Sequence, residues 1–438
     1  MVAPGLILAA PSSGSGKTVT TLALLRALRN NGVRVASAKA GPDYIDPAFH
    51  AAASGRACFN LDAWGMRAET LSGLVCRLGD DADLILCEGV MGLFDGASGG
   101  GGSTADLAAI TGWPVVLIVD AKGQGASVAA LVEGFAHHRT DIDVAGIICN
   151  RVGGPGHERI LGNAITSMRR AIPLLGHIPN STALNLPSRH LGLVQASEHD
   201  ALDGFLDDAA AVISGHVDLA LLQRTAKPSG MAGTESAANL PPLGQRIAIA
   251  SDAAFRFSYP AVRRGWRESG VAITTFSPLA DEAPDANADA VYLPGGYPEL
   301  HAGRLAANQK FMVGLRRAAA KGAAVFGECG GYMVLGEELV DAEGARHRMA
   351  GLLPLATSFA KRKLHLGYRR LETTLSSPLG KSGTRFTGHE FHYASIEQEG
   401  PGDHLFNAVD SRGTDLPAAG LVVENVAGSF IHLIDCAT

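Results

Sequence analysis

The stretch 5-GLILAAPSSGSGKT-18 decides the first half of the fold. An apolar run ends abruptly in small residues, and Lys17 and Thr18 then open an Ala/Leu-rich segment over 17–31. That order reads as strand, loop, helix. Gly14, Ser15 and Gly16 leave backbone N–H groups free to curl around phosphate oxygens, the Lys17 ammonium neutralises the terminal phosphates, and the Thr18 hydroxyl is placed to ligate Mg²⁺. The loop departs from the usual pattern only at its first glycine, where Pro11 stands.

Outward from this loop, β-branched apolar runs alternate with longer helical patterns. The strand expectations are 5–10, 33–40, 83–89, 114–121, 144–152 and 173–179, and the helical ones include 17–31, 104–111 and 126–138. Such alternation predicts an α/β domain, a doubly wound parallel sheet with helices on both faces, over 1–222. Residues 223–245, QRTAKPSGMAGTESAANLPPLGQ, are poor in large apolar side chains and read as a linker. A second alternation, with strands at 246–252, 271–278, 289–296 and 323–331, predicts another doubly wound domain over 246–438, more β-rich towards its end.

Composition bounds the partners. The 438 residues are 46% hydrophobic and 18% charged, with a formal net charge of −6, and the isoelectric point is near 6.2. No global attraction to nucleic acid or to an anionic membrane follows, so an acidic ligand must use local clusters such as Lys361-Arg362-Lys363. Six scattered cysteines suggest neither a disulfide framework nor a metal site, and a reducing cytoplasm is the expected compartment. No apolar run approaches the ~20 residues of a membrane span.

Three further stretches carry chemistry. In DLILCEG (83–89) an apolar strand ends in Glu88, an acid placed to reach a metal ion beside the phosphates. GPDYIDP and EGVMGLFDG add Asp43, Asp46 and Asp95 in loops after strands, where doubly wound sheets bind ligands. Asp43 and Asp46 can equally cap the turn before Pro47. Together the four carboxylates suit holding Mg²⁺ or orienting a second substrate against a triphosphate. The third stretch, AAVFGECGGYMVLG (323–336), is a strand followed by G-x-C-x-G and a helical pattern, the elbow of hydrolases with sulfur in place of oxygen. It makes Cys329 a nucleophile, with the helix start expected to lower its pKa. His432, after the apolar run near the end of the chain, is the candidate base. Gly295 and Gly296 in LPGGYPEL are candidate oxyanion donors.

SSGSGKT, GPDYIDP, EGVMGLFDG, PGGYPE, GECGGYMVL, GHEFHY and SFIHL together resemble the cobyrinic acid a,c-diamide synthase family of cobalamin biosynthesis, whose aerobic-pathway members act on hydrogenobyrinic acid. The resemblance implies a dethiobiotin-synthetase-like ATP domain fused to a flavodoxin-like class I glutamine amidotransferase domain. It also implies ATP, L-glutamine and a corrinoid polycarboxylate as substrates, Mg²⁺ as cofactor, and a homodimer with neither nucleic acid nor membrane as partner. Carried over residue by residue, it gives Cys329 the attack on glutamine, His432 its activation, and Asn150 the reading of adenine. The wider class I pattern has an acid two residues after the histidine, and this chain has Ile434 there. That leaves a Cys329–His432 dyad, with Glu390 as the distant acid available to orient the ring. Cobyric acid synthase, sirohydrochlorin a,c-diamide synthase, and a partitioning-type ATPase with an inactive amidotransferase-like module are the alternative readings.

Overall fold

The computed structural model describes residues 2–186, 188–189, 192–193, 201–231 and 239–437. Two units divide the chain.

The first unit is built on seven parallel strands, β1 (Gly5–Ala9), β2 (Val35–Ala40), β3 (Phe59–Leu61), β4 (Leu84–Glu88), β5 (Val115–Asp120), β6 (Val144–Val152) and β7 (Leu174–Pro179), in the order β3-β2-β4-β1-β5-β6-β7. Each of the six expected strands is present, trimmed by a residue or two in most cases, and the short β3 is added. Strands this apolar need cover on both faces. On one face Leu6, Leu8, Leu86, Ile118 and Ile148 pack with Leu22, Leu25 and Leu28 of α1 (Lys17–Asn30), Phe49 of α2 (Asp46–Ser54) and Ile213 of the helix Leu202–His216. β1 lies between β4 and β5, so the ends of β1, β2 and β4 open side by side at one edge of the sheet. Register places Glu88 against Leu8 on one side and against Lys39 on the other.

The second unit carries a ten-stranded sheet whose first half is parallel. Strands 272–276, 246–250, 290–293 and 324–328 follow one another across it, the flavodoxin-type order, and 426–429 completes the parallel part. From 426–429 the sheet continues antiparallel through 415–423, 403–410, 365–373, 385–392 and 431–436. The second domain is thus doubly wound only in its parallel half, and the β-rich end expected from sequence divides between an extension of the same sheet and a separate four-stranded sheet of 346–348, 338–340, 355–358 and 395–399.

The expected linker 223–245 is largely folded where it is described. Residues 223–225 end the helix Leu219–Thr225, Lys227 exchanges two backbone hydrogen bonds with Gly5 (2.8 and 3.0 Å), and the Ser229 hydroxyl donates to Thr111 O at 2.9 Å. On the other side, the Asn239 amide donates to Ile434 O at 3.0 Å and Trp266 Nε1 donates to Leu240 O at 3.1 Å. Small and polar residues here satisfy backbone groups of the neighbouring elements, a role that composition does not distinguish from a free tether. Residues 232–238 lie outside the described residues. Segments 65–70 and 97–100 group with the second unit; Arg67 donates to the buried Asp435 carboxylate through its backbone (2.9 Å) and its guanidinium (2.8 Å).

Candidate functional sites

The phosphate loop closes on itself before α1 begins. Gly16 adopts φ 87°, a left-handed conformation that suits glycine, and a Cβ there would collide with the Asn150 amide. Asn150 Nδ2 donates to Ser15 O at 2.9 Å, so what Asn150 visibly does is fasten the loop from the end of β6. Lys17 is buried and its Nζ donates to Met91 O at 2.7 Å. Burial pulls the Lys17 pKa below the usual lysine value, against the pull of Glu88.

Thr18 Oγ1 donates to Glu88 Oε1 at 2.6 Å and lies 3.4 Å from Asp46 Oδ2. Three hard oxygens therefore converge beside the loop, the donor set that suits Mg²⁺. Two cations that sequence reading passed over hold the carboxylates in place. Lys39 Nζ donates to Asp46 Oδ2 (2.7 Å) and Glu88 Oε1 (2.9 Å), and His50 Nε2 meets Glu88 Oε2 at 2.6 Å. Burial alone would push the Glu88 carboxyl up, but Lys39, His50 and Thr18 outweigh it and hold it well below the usual range. Asp46 is pushed up to about 6 by burial and by Asp43. Of the four expected carboxylates, two meet at the loop and two shape the backbone around it. Asp43 Oδ1 accepts from Ile45 N and Asp46 N at 2.8 and 2.9 Å, and Asp95 Oδ2 accepts from Gly92 N at 2.9 Å. Cys58 is buried, with its Sγ 3.5 Å from His50 Nδ1.

In the second unit, Cys329 stands where strand 324–328 turns into the helix Gly330–Leu335, with φ 47° and ψ −105°. A positive φ at a non-glycine residue is strained, and strain kept at one thiol marks a functional position. The turn is held by Cys329 N donating to Ser429 O at 2.8 Å. Glycine is required around it. A Cβ on Gly295 would overlap His432 Cε1 and stand 3.0 Å from His432 Nε2 and 3.2 Å from Cys329 Cβ, so these three residues meet at one point. Gly296 N faces the start of the elbow helix, 3.0 Å from where a Cβ on Gly330 would be.

The expected lowering of the thiol pKa is not found. Burial, followed by the negative charge of Glu299, pushes the Cys329 thiol well up, and only the Gly330 N–H works the other way. The helix behind it spans just six residues, too short to impose a strong field. His432 is buried and held neutral, its pKa lowered to about 3 by burial and then by His389 and His392. The resting pair is a neutral thiol beside a neutral imidazole.

Glu390 does not orient His432. Its Oε2 accepts from Arg369 at 2.6 and 3.0 Å and its Oε1 pairs with His392 Nε2 at 2.9 Å. His365, Glu390 and His392 bring potential ligand atoms within 4.8 Å of one another. Arg369 already neutralises the carboxylate, and the two imidazoles stack in parallel at 4.6 Å, an ion-pair network rather than a converging ligand set. The acid beside His432 is Glu328, the residue before the nucleophile. Its Oε2 is 3.9 Å from His432 Nδ1 and accepts from Tyr292 Oη at 2.6 Å, while Oε1 accepts from Leu433 N at 3.0 Å.

A phosphate loop with an acidic cluster in one unit, and a strained thiol facing a histidine in the other, define a two-domain amidotransferase coupled to nucleotide chemistry. The family described as "CobQ/CobB/MinD/ParA nucleotide binding domain" matches residues 6–194, and "CobB/CobQ-like glutamine amidotransferase domain" matches 246–436. Proteins named hydrogenobyrinate a,c-diamide synthase from Brucella anthropi and Rhizobium meliloti are 56% and 54% identical to the chain, the alignments covering 98% of this chain in both cases and 98% and 99% of those proteins. One from Rhodobacter capsulatus is 51% identical, with 98% of each chain covered. The chain belongs to the hydrogenobyrinate a,c-diamide synthase family.

Proposed function

We propose that the chain converts the a and c carboxylates of hydrogenobyrinic acid to amides, activating each with ATP and taking nitrogen from glutamine. Support comes from identity that runs through both units to enzymes of that name, which favours this reading over the alternatives. A homodimer acting away from membrane and nucleic acid accompanies the proposal. Among the described residues no helix is long and apolar enough to cross a membrane.

The chemistry divides between the units. In the second, His432 takes the Cys329 proton as sulfur attacks the glutamine amide carbon, and the proton then passes to the departing ammonia. Both groups rest neutral, so the thiolate forms as the reaction proceeds. The Gly296 and Gly330 N–H groups receive the oxyanion, Gly295 keeps the floor of the site open, and Glu328 steadies the imidazolium. Water then clears the thioester to glutamate.

In the first unit a corrin carboxylate attacks the ATP γ-phosphorus, giving an acyl phosphate and ADP. The loop amides and Lys17 hold the transferring phosphoryl group. Mg²⁺, for which Thr18 and Glu88 are the ligands proposed, supplies neutralisation of phosphate charge. Lys39 and His50 keep Glu88 ionised and fixed, and Asp46, held by Lys39, completes the oxygen set beside the loop. Ammonia attacks the acyl carbon and expels phosphate, and a second round gives the diamide. Mass spectrometry of hydrogenobyrinic acid incubated with the enzyme, ATP, Mg²⁺ and glutamine tests the reading: two successive exchanges of hydroxyl for amine are expected, and an unchanged substrate would refute it.

A further inference from the structure

Next to the thiol lies an acid that the reaction above leaves unused. Glu299 belongs to the short turn Pro298–His301, which packs against the elbow helix; a Cβ on Gly330 would stand 2.7 Å from Pro298 Cδ. Its Oε2 is sealed from solvent and accepts no hydrogen bond among the described residues. Its charge is the one felt most strongly by Cys329 after the effect of burial, ahead of Glu328 and Glu390, which sets it at the nucleophile. Among the described residues, the opposing side-chain charge acting on it is that of the exposed Arg362.

A buried carboxylate oxygen without a donor costs free energy that an apolar side chain would avoid. Burial accordingly raises the Glu299 carboxyl to about 7, so the free enzyme holds it close to the point of ionising. A cationic donor brought by the substrate would remove that cost. Glutamine brings one: when its side-chain amide lies at Cys329, its α-ammonium is a few bonds away.

We infer that Glu299 is the acceptor for the α-ammonium group of glutamine, selecting an α-amino acid over a plain amide. The inference rests on Cys329 being the glutaminase nucleophile.

The test compares glutamine with glutaramate, which keeps the amide and the carboxylate and lacks the ammonium. Wild-type enzyme should favour glutamine by about 10- to 100-fold in kcat/KM, the worth of one charge-assisted hydrogen bond. In Glu299→Gln that preference should collapse, through a raised KM for glutamine with little change for glutaramate. Synthesis from ATP, corrinoid and ammonium salt should be unaffected, showing an intact fold. Equal losses on both amides, or an unchanged preference, would overturn the inference and leave Glu299 a structural or product-binding group. Glutamine hydrolysis surviving in Cys329→Ala would bring down the nucleophile assignment, and the inference with it.

Discussion

Glu328 is one residue from Cys329 in the chain, yet its carboxylate meets Tyr292, Leu433 N and, at 3.9 Å, the His432 ring. Alternation along a strand sends neighbours to opposite sides, and the turn at Cys329 brings the thiol back towards the imidazole. Glu328 is raised to about 7 by burial, against the pull of Tyr292 and Leu433 N. A carboxylate 3.9 Å from a neutral imidazole gains little at rest. It gains much once His432 carries the thiol proton, so the interaction strengthens on the way to the transition state. Glu328→Gln should therefore lower kcat for glutamine hydrolysis by about 10²-fold with KM nearly unchanged and ammonium-dependent synthesis intact. A rise in KM with kcat preserved would remove Glu328 from the pair.

At the scale of elements, strand 385–392 pairs with both 365–373 and 431–436, so it carries His389 opposite His432 and Glu390 opposite Gly367. Burial raises the Glu390 carboxyl, but His392 and Arg369 outweigh it and hold it at about 2, against 4.5 for the free side chain. The folded state thus favours the ionised form. The stabilisation is fully present above pH 4.5 and is lost as pH falls towards 2, with a ceiling of about 3 kcal/mol. Glu390→Gln should unfold at lower denaturant concentration than wild type at neutral pH, and the gap should close on acidification through that window. A gap independent of pH would mean that packing rather than charge holds the strand. The same strand marks what sequence reading reaches. Apolar runs and the glycines around the phosphate loop and elbow announce themselves locally, so the strands, Lys17, Thr18, Cys329 and His432 were legible. Lys39, His50 and Glu328 were not, because each is one polar residue in an apolar run and acquires meaning only from partners between 38 and 104 positions away. Glu390 failed for the same reason: proximity in a motif says nothing about which neighbour its oxygens face. The passage from the first unit to the second falls inside 223–245, as the composition suggested, but composition reports what a segment lacks and not the carbonyls its ends satisfy.

At the scale of the whole molecule, the two proposed chemistries fall in different units. Lys17, Lys39, Asp46 and Glu88 belong to the first, and Gly295, Glu328, Cys329 and His432 to the second. Each unit has its own apolar core, so a point change in one site leaves the other folded. The nitrogen donor can be bypassed and the activation step cannot, because ammonia added from solution replaces glutamine while nothing in solution replaces the acyl phosphate. Cys329→Ala should lose glutaminase activity and glutamine-dependent synthesis, yet make diamide from ATP, corrinoid and high ammonium salt at mildly alkaline pH, where more of the ammonia is unprotonated. The alanine removes one sulfur from a turn set by Gly327, Gly330 and Gly331. Lys17→Ala should do the reverse: glutamine hydrolysis persists while synthesis fails with either nitrogen source, since loss of a buried phosphate-binding cation leaves the transferring group's charge uncompensated. Product assay and glutamate release, measured together on both variants, separate the outcomes. Full synthesis from glutamine by Cys329→Ala would make that thiol a buried bystander, and normal synthesis by Lys17→Ala would move carboxylate activation away from the loop with which the chain begins.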